Sequence, residues 1–188
     1  MKYGLYYHYK LNTNFFASDT SKNVRLVRDV ENIDTGKIEV NKIRLSFLLK
    51  SNKVDCFLYY SDDIPVGILC TCRGSYYLRG LGVPFDNEDD SCYIFWIYVS
   101  SQCRNKGILQ ELLVACCSHH SFCRSFELLV RYDNYIMKNF LDRRSSLIDC
   151  KIFYIKIFQV SVYVLTYDRS YSLNFSVETK LKPNFIKI

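Results

Sequence analysis

The segment that most constrains this fold is residues 92–99, CYIFWIYV, an unbroken apolar run rich in aromatic and β-branched side chains. It falls far short of the roughly 20 residues a membrane helix needs. It also lacks the polar alternation of a strand with one wet face. Such a run predicts a central strand buried on both faces, with further elements packed above and below it. The chain continues S-S-Q-C-R-N-K-G-I-L, after which Leu109, Leu112, Leu113 and Cys116 recur at i, i+3, i+4 and i+7. That spacing predicts an amphipathic helix beginning near Lys106. FELLV at 126–130 then reads as a short buried strand. A strand–helix–strand unit with short loops predicts a right-handed crossover and a parallel pair.

The flanking sequence predicts antiparallel neighbours. Residues 55–60 and 66–73 read as two strands joined by the acidic and proline turn SDDIP, hence a hairpin. Residues 1–10 alternate weakly and predict a first strand, with short helices over 29–34 and 41–50. Residues 79–91 (RGLGVPFDNEDDS) read as a loop. A second helix is predicted over 133–144, with Asp133 as its N-cap and Arg143 and Arg144 at its C-terminal end. Residues 149–167 hold one long strand or two, and 168–188 form a polar tail closing on KPNFIKI, an edge strand. The expectation is a single mixed α/β domain over 1–188, a length that buries enough surface to fold without metal or disulfide.

The net charge of +6, from 25 basic and 19 acidic residues, suits an anionic partner. Its scatter along the chain argues against nucleic acid. Nine cysteines, an odd number, and an N-terminus broken by His8 and Lys10 point to free thiols in a reducing compartment, cytosolic or nuclear. No run is long enough for a membrane helix. Scarce Ala, Gly and Pro beside abundant Phe, Tyr, Ile, Asn and Lys read as A/T-rich coding, so part of the 16% aromatic content is mutational bias. In CCSHHSFC (116–123), Cys116/His119, Cys117/His120 and His120/Cys123 have ligand-like spacing, but adjacent Cys116 and Cys117 point about 100° apart on a helix. The reading is packing, with no metal site. Cys70 and Cys72 share a strand face and read as packing too. Cys103, beside Arg104 at a helix start, is the thiol placed for a lowered pKa.

The junction 99–109 carries the chemistry. Gly107 permits a tight turn and close approach of a ligand. The helix N-terminus behind it offers unpaired N–H groups and partial positive charge, and Arg104 and Lys106 add formal charge. Together they predict a pyrophosphate-sized anion site. Arg104-Asn105-Lys106-Gly107-Ile108 resembles motif A of the GCN5-related N-acetyltransferases, Arg/Gln-x-x-Gly-x-Gly/Ala between a strand and a helix. Leu109 departs from the motif's last small residue. Val130-Arg131-Tyr132-Asp133-Asn134 resembles the same family's exit from its fifth strand, with Asn134 at the position that opens the next helix and contacts the cofactor. The resemblance is strongest over 92–141.

That resemblance implies a mostly antiparallel sheet with splayed parallel strands 4 and 5, and acetyl-CoA as co-substrate. It implies that the backbone of Ile97, Tyr98 and Val99 lines pantetheine and polarises the thioester. Arg104, Asn105, Lys106, Gly107, Ile108, Leu109 and Asn134 complete the cofactor contacts. The activity implied is acetyl transfer to an amine of a protein or small molecule by direct attack, with the acceptor unidentified. Tyr93 stands where family members carry a catalytic Glu or Tyr, and Glu88, Asp89 and Asp90 lie just upstream as alternative bases. Where the family often has an acidic Tyr, this chain has Leu141, leaving Tyr132 or Tyr135 as substitutes. That departure motivates a second reading, a GNAT-fold interaction or regulatory module without turnover.

Overall fold

The computed structural model describes residues 2–11, 13–16, 21–28, 38, 42–51, 53–74, 76–78, 83–85, 90–143, 145–157, 160–167, 170–177 and 186–187, the backbone alone at 2–5, 14–15, 42–44, 47, 76–78, 83–85 and from 145 onward. Among the described residues, twelve strands and three α-helices follow in chain order: β1 (Lys2–Leu11), β2 (Val24–Val27), α1 (Lys42–Leu49), β3 (Val54–Ser61), β4 (Ile64–Arg73), β5 (Tyr76–Leu78), β6 (Val83–Phe85), β7 (Ser91–Val99), α2 (Ile108–His119), β8 (Ser125–Arg131), α3 (Tyr135–Asp142), β9 (Ser145–Ile157), β10 (Val160–Tyr167), β11 (Ser170–Val177) and β12 (Ile186–Lys187). Short 3-10 turns cover Thr13–Phe16 and Ser101–Cys103.

Nine strands form one sheet in the order β11-β10-β9-β1-β8-β7-β4-β3-β2. Its pairs are antiparallel except β7 with β8, which are parallel and linked by α2. The mixed α/β sheet, the central strand and the crossover predicted from the sequence are all present. The β3–β4 hairpin turns at Asp62 and Asp63, both with positive φ (51° and 60°). That conformation matches the strand twist in a two-residue turn, and Asp is among the few residues that accept it.

Several details differ from the sequence reading. The hairpin's second strand begins at Ile64 rather than Val66, and a short strand, β2, lies at Val24–Val27. Residues 83–85, assigned to a loop, form β6 in a small sheet with β5 and β12. The polar tail supplies β11, the outermost strand of the large sheet, whereas the two strands β9 and β10 within 145–167 and the edge strand β12 within KPNFIKI are as expected. The helix expected over 29–34 lies outside the described residues. β1 has no close neighbour in sequence: it inserts between β8 and β9, antiparallel to both.

Two layers of core result. On one face of the sheet, α2 buries Ile108, Leu112, Leu113 and Cys116 against Phe57, Leu69, Ile94, Phe126 and Leu128, joined by Leu141 of α3. On the other face, Leu45 and Leu48 of α1 cover Cys56, Leu58, Ile68, Cys70, Cys72 and Tyr93. Gly67 of β4 lets α2 approach: a Cβ there would lie 3.0 Å from Ile108 Cγ2 and 3.2 Å from Leu112 Cδ1. Among the described residues no helix is long and apolar enough to cross a membrane.

Candidate active site

The central strand β7 is irregular at its middle. Thr71 of β4 pairs with Ile94, but the next residue, Cys70, pairs with Trp96, so Phe95 is an extra residue, a β-bulge. On the other side, the parallel pairing with β8 runs from Ser91/Ser125 to Ile94/Leu128 and stops there. Beyond the bulge, β7 keeps β4 while the register with β8 ends. Trp96, Ile97, Tyr98 and Val99 are half-buried, in contrast to the fully buried Ser91, Cys92, Tyr93 and Ile94. The two strands therefore open into a cleft whose wall is the backbone of residues 95–99.

The cleft leads to the turn before α2. Ser100 N donates to Val66 O at 2.8 Å and Arg104 Nε donates to Val99 O at 3.2 Å, tying the turn to the end of β7. Asn105 has φ 62° and Gly107, the N-cap of α2, has φ 80°. A Cβ on Gly107 would meet nothing within 4 Å, so the space over the turn is open. Arg104, Asn105, Lys106 and Gly107 are all exposed there. The first amides of α2 have no helical acceptor, and the helix dipole adds partial positive charge. An exposed, basic helix start with open space in front of it suits a pyrophosphate. Ile108 turns its side chain into the core and Leu109 packs against it, so neither bulky side chain stands over the turn.

Across the cleft, Asn134 rather than Asp133 caps α3, its Oδ1 accepting from Met137 N at 3.1 Å. Asp133 instead pairs with Arg131 at 2.6 Å. α3 ends at Asp142, short of the expected 144, with Arg143 as its C-cap.

The acid–base groups expected from the sequence are placed differently. Tyr93 is 3% exposed beneath α1, and burial raises its phenol well above the ordinary range. A phenol so held is a poor base near neutral pH. Asp90 forms an ion pair with Arg124 (3.1 Å) just before β7. It is five residues from the bulge, on the order of 16 Å along the strand. Glu88 and Asp89 lie outside the described residues. Leu141 is 0% exposed in the core, while Tyr132 and Tyr135 are exposed at the start of α3.

The structure brings forward a different pair. Glu127 of β8 stands in register with Tyr93, one residue before the pairing ends. Its Oε2 lies 3.0 Å from His8 Nε2 of β1, 119 residues away in sequence. Ser125 Oγ donates to Glu127 Oε1 at 3.3 Å and lies 2.9 Å from Ser91 Oγ. The hydrogen bond from His8 holds the Glu127 carboxyl below its ordinary value, against the effect of burial. Glu127 is thus an anion at neutral pH, at the closed end of the cleft. The available sequence signal was one acid inside the otherwise apolar strand FELLV.

No protein-family model and no curated protein matches the chain. Solved structures do. An aminoglycoside N-acetyltransferase, AAC(6')-Iy, in complex with CoA aligns over 64% of this chain and 87% of its own, with TM-score 0.50 and 15% identity. A GNAT-family acetyltransferase from Colwellia psychrerythraea aligns over 78% of this chain and 55% of its own, with TM-score 0.53 and 12% identity. The chain has the GNAT fold. A conserved protein of unknown function from Staphylococcus epidermidis is similar to the same extent, with TM-score 0.51 and 13% identity over 78% of this chain and 58% of its own. In this GNAT fold the bulge at Phe95, the end of β7–β8 pairing and the Gly107 turn follow one another along the chain.

Proposed function

We propose that the protein is an acetyl-CoA-dependent N-acetyltransferase that delivers the acetyl group to an amine by direct attack in a ternary complex. The observation that carries this reading is the end of β7–β8 pairing at Ile94/Leu128, opposite the bulge at Phe95 and in line with the exposed turn at Gly107. Backbone N–H groups released from a ladder beside a cleft can bind an extended amide chain and polarise a carbonyl. The α2 N-terminus, Arg104 and Lys106 would hold the pyrophosphate, and Asn134 would close the far wall.

The acceptor amine enters on the sheet face away from α2, where Glu127 lies. Its carboxylate attracts the ammonium form, and Glu127 with His8 receives the proton as the amine becomes nucleophilic. The new N–C bond forms as the C–S bond breaks, and the thiolate leaves with a proton from solvent or from the exposed Tyr132 or Tyr135. The main contribution of the site is orientation of two reactants along one path.

Calorimetry with acetyl-CoA tests the cofactor part. Binding is expected, and Gly107→Glu should abolish it by placing a carboxylate in the anion site. Absence of binding by the wild-type chain at high micromolar cofactor overturns the reading. The burial of Tyr93 and Leu141 favours a second reading, a module that binds the cofactor without turnover. Thiol release with a panel of peptides, polyamines and small amines separates the two.

A further inference from the structure

At the opposite end of α2 from the Gly107 turn, the helix closes on His119, its last residue, and His120, its C-cap. That end is on the order of 18 Å from the turn. Asp55 of β3 comes up beneath the two rings, and one donor atom from each of Asp55, His119 and His120 lies within 4.8 Å of the others. His120 Nε2 is 3.4 Å from Asp55 Oδ2 and 3.3 Å from Thr71 Oγ1. The longer separation is weak for a hydrogen bond. It equals the edge between two ligands each about 2.1 Å from a tetrahedral ion.

His120 is 1% exposed, and Nε2 is the ring nitrogen that faces Asp55 and Thr71. Two imidazole nitrogens and one carboxylate oxygen are a donor set that zinc takes. His119 is exposed, and Asp55, His119 and His120 line a shared cavity with Ser51 and Phe122, so an ion has a way in. The partial negative charge of the α2 C-terminus adds to that of Asp55 in favouring a cation. Two cations act against it: Arg28 and Arg73 line the same cavity, with the Arg73 guanidinium 5.5 Å over the Phe122 ring.

We propose that Asp55, His119 and His120 form a site for one divalent transition-metal ion, zinc by its donor set, tying β3 to the end of α2 with water completing the coordination. The neighbouring cysteines stay outside it. Cys116 and Cys117 are buried in the core on the β-sheet side of α2.

The full chain titrated with Co²⁺, and then with Zn²⁺ in competition, tests this. One equivalent of Co²⁺ should bind with visible d–d bands and without a near-ultraviolet thiolate-to-cobalt band, and Zn²⁺ should displace it. Asp55→Asn and His119→Ala should each weaken binding by more than about tenfold, and Arg73→Gln should tighten it. His119 is exposed, so His119→Ala should keep the wild-type circular dichroism and report the ligand alone. The proposal is overturned by a folded chain that takes up no stoichiometric ion, or by uptake that both ligand variants leave unchanged. A thiolate band would move the ion to the cysteines, and weaker binding by Arg73→Gln would mean that the cavity selects anions; either result also overturns it.

Discussion

The two halves of β7 have similar apolar composition and different surroundings. Ser91, Cys92, Tyr93 and Ile94 are buried and paired to β8, and Cys92, Tyr93 and Ile94 pair with β4 on the other side. Trp96 to Val99 keep the β4 partner alone, and with the bulged Phe95 they are half-buried. The first half holds the sheet together. The second half exposes a backbone edge inside the molecule, next to a basic helix start. Apolar side chains are thus compatible with either role, and the extra residue at Phe95 separates them.

Truncation in each half should break the symmetry most visibly. Ile94→Ala removes a side chain that is 3% exposed. It should cost about 3 kcal/mol in denaturant unfolding, the usual range for a core Ile. Ile97→Ala, past the bulge, should cost less than about 1 kcal/mol and weaken acetyl-CoA binding instead. Equal stability losses would show that the halves do not differ as described.

Gly67→Ala probes the support under the second half. Its Cβ would crowd Ile108 and Leu112 at the start of α2. The expected loss is about 2 kcal/mol, typical of overpacking, together with weaker cofactor binding because the α2 start shifts. Asn134→Ala removes the α3 cap on the other wall of the cleft. A loss of about 1 kcal/mol is expected, and unchanged cofactor affinity would detach Asn134 from the site.

Glu127→Gln gives the finest distinction, because it sits at the point where the halves meet. The native carboxyl is held below its ordinary value of 4.5. Its ionised form therefore stabilises the fold fully above that value, and the contribution is lost as pH falls through the lower native value. Thermal melts should show wild type above Glu127→Gln at neutral pH, with the gap closing under acid. A gap independent of pH would mean that the His8 pairing does not set the titration of Glu127. Turnover, where measured, should fall with kcat affected more than the KM for acetyl-CoA.

Much of the site was legible because it is local. A strand, a glycine turn and a helix are consecutive in the chain, so 92–99, Gly107 and the spacing of Leu109, Leu112, Leu113 and Cys116 announce them together. The cap of α3 was not legible: the sequence reading places it at Asp133, which has equal capping chemistry, and only the backbone path gave it to Asn134. Within the tail, β12 was expected and β11 was missed, because short polar strands look like loops until a neighbour pairs with them.

The sequence alone determined the type and order of the central strands and helices, that the core is apolar on both sides of β7, and that a glycine turn opens α2. These follow from periodicity, glycine conformation and helix termini, which act within a few residues. Tertiary structure decided what meets what. It placed β1 between β8 and β9, set His8 against Glu127, buried Tyr93 under α1 and raised Asp55 against His119 and His120. Each depends on strand register or sheet order, where a one-residue slip sends a side chain to the opposite face.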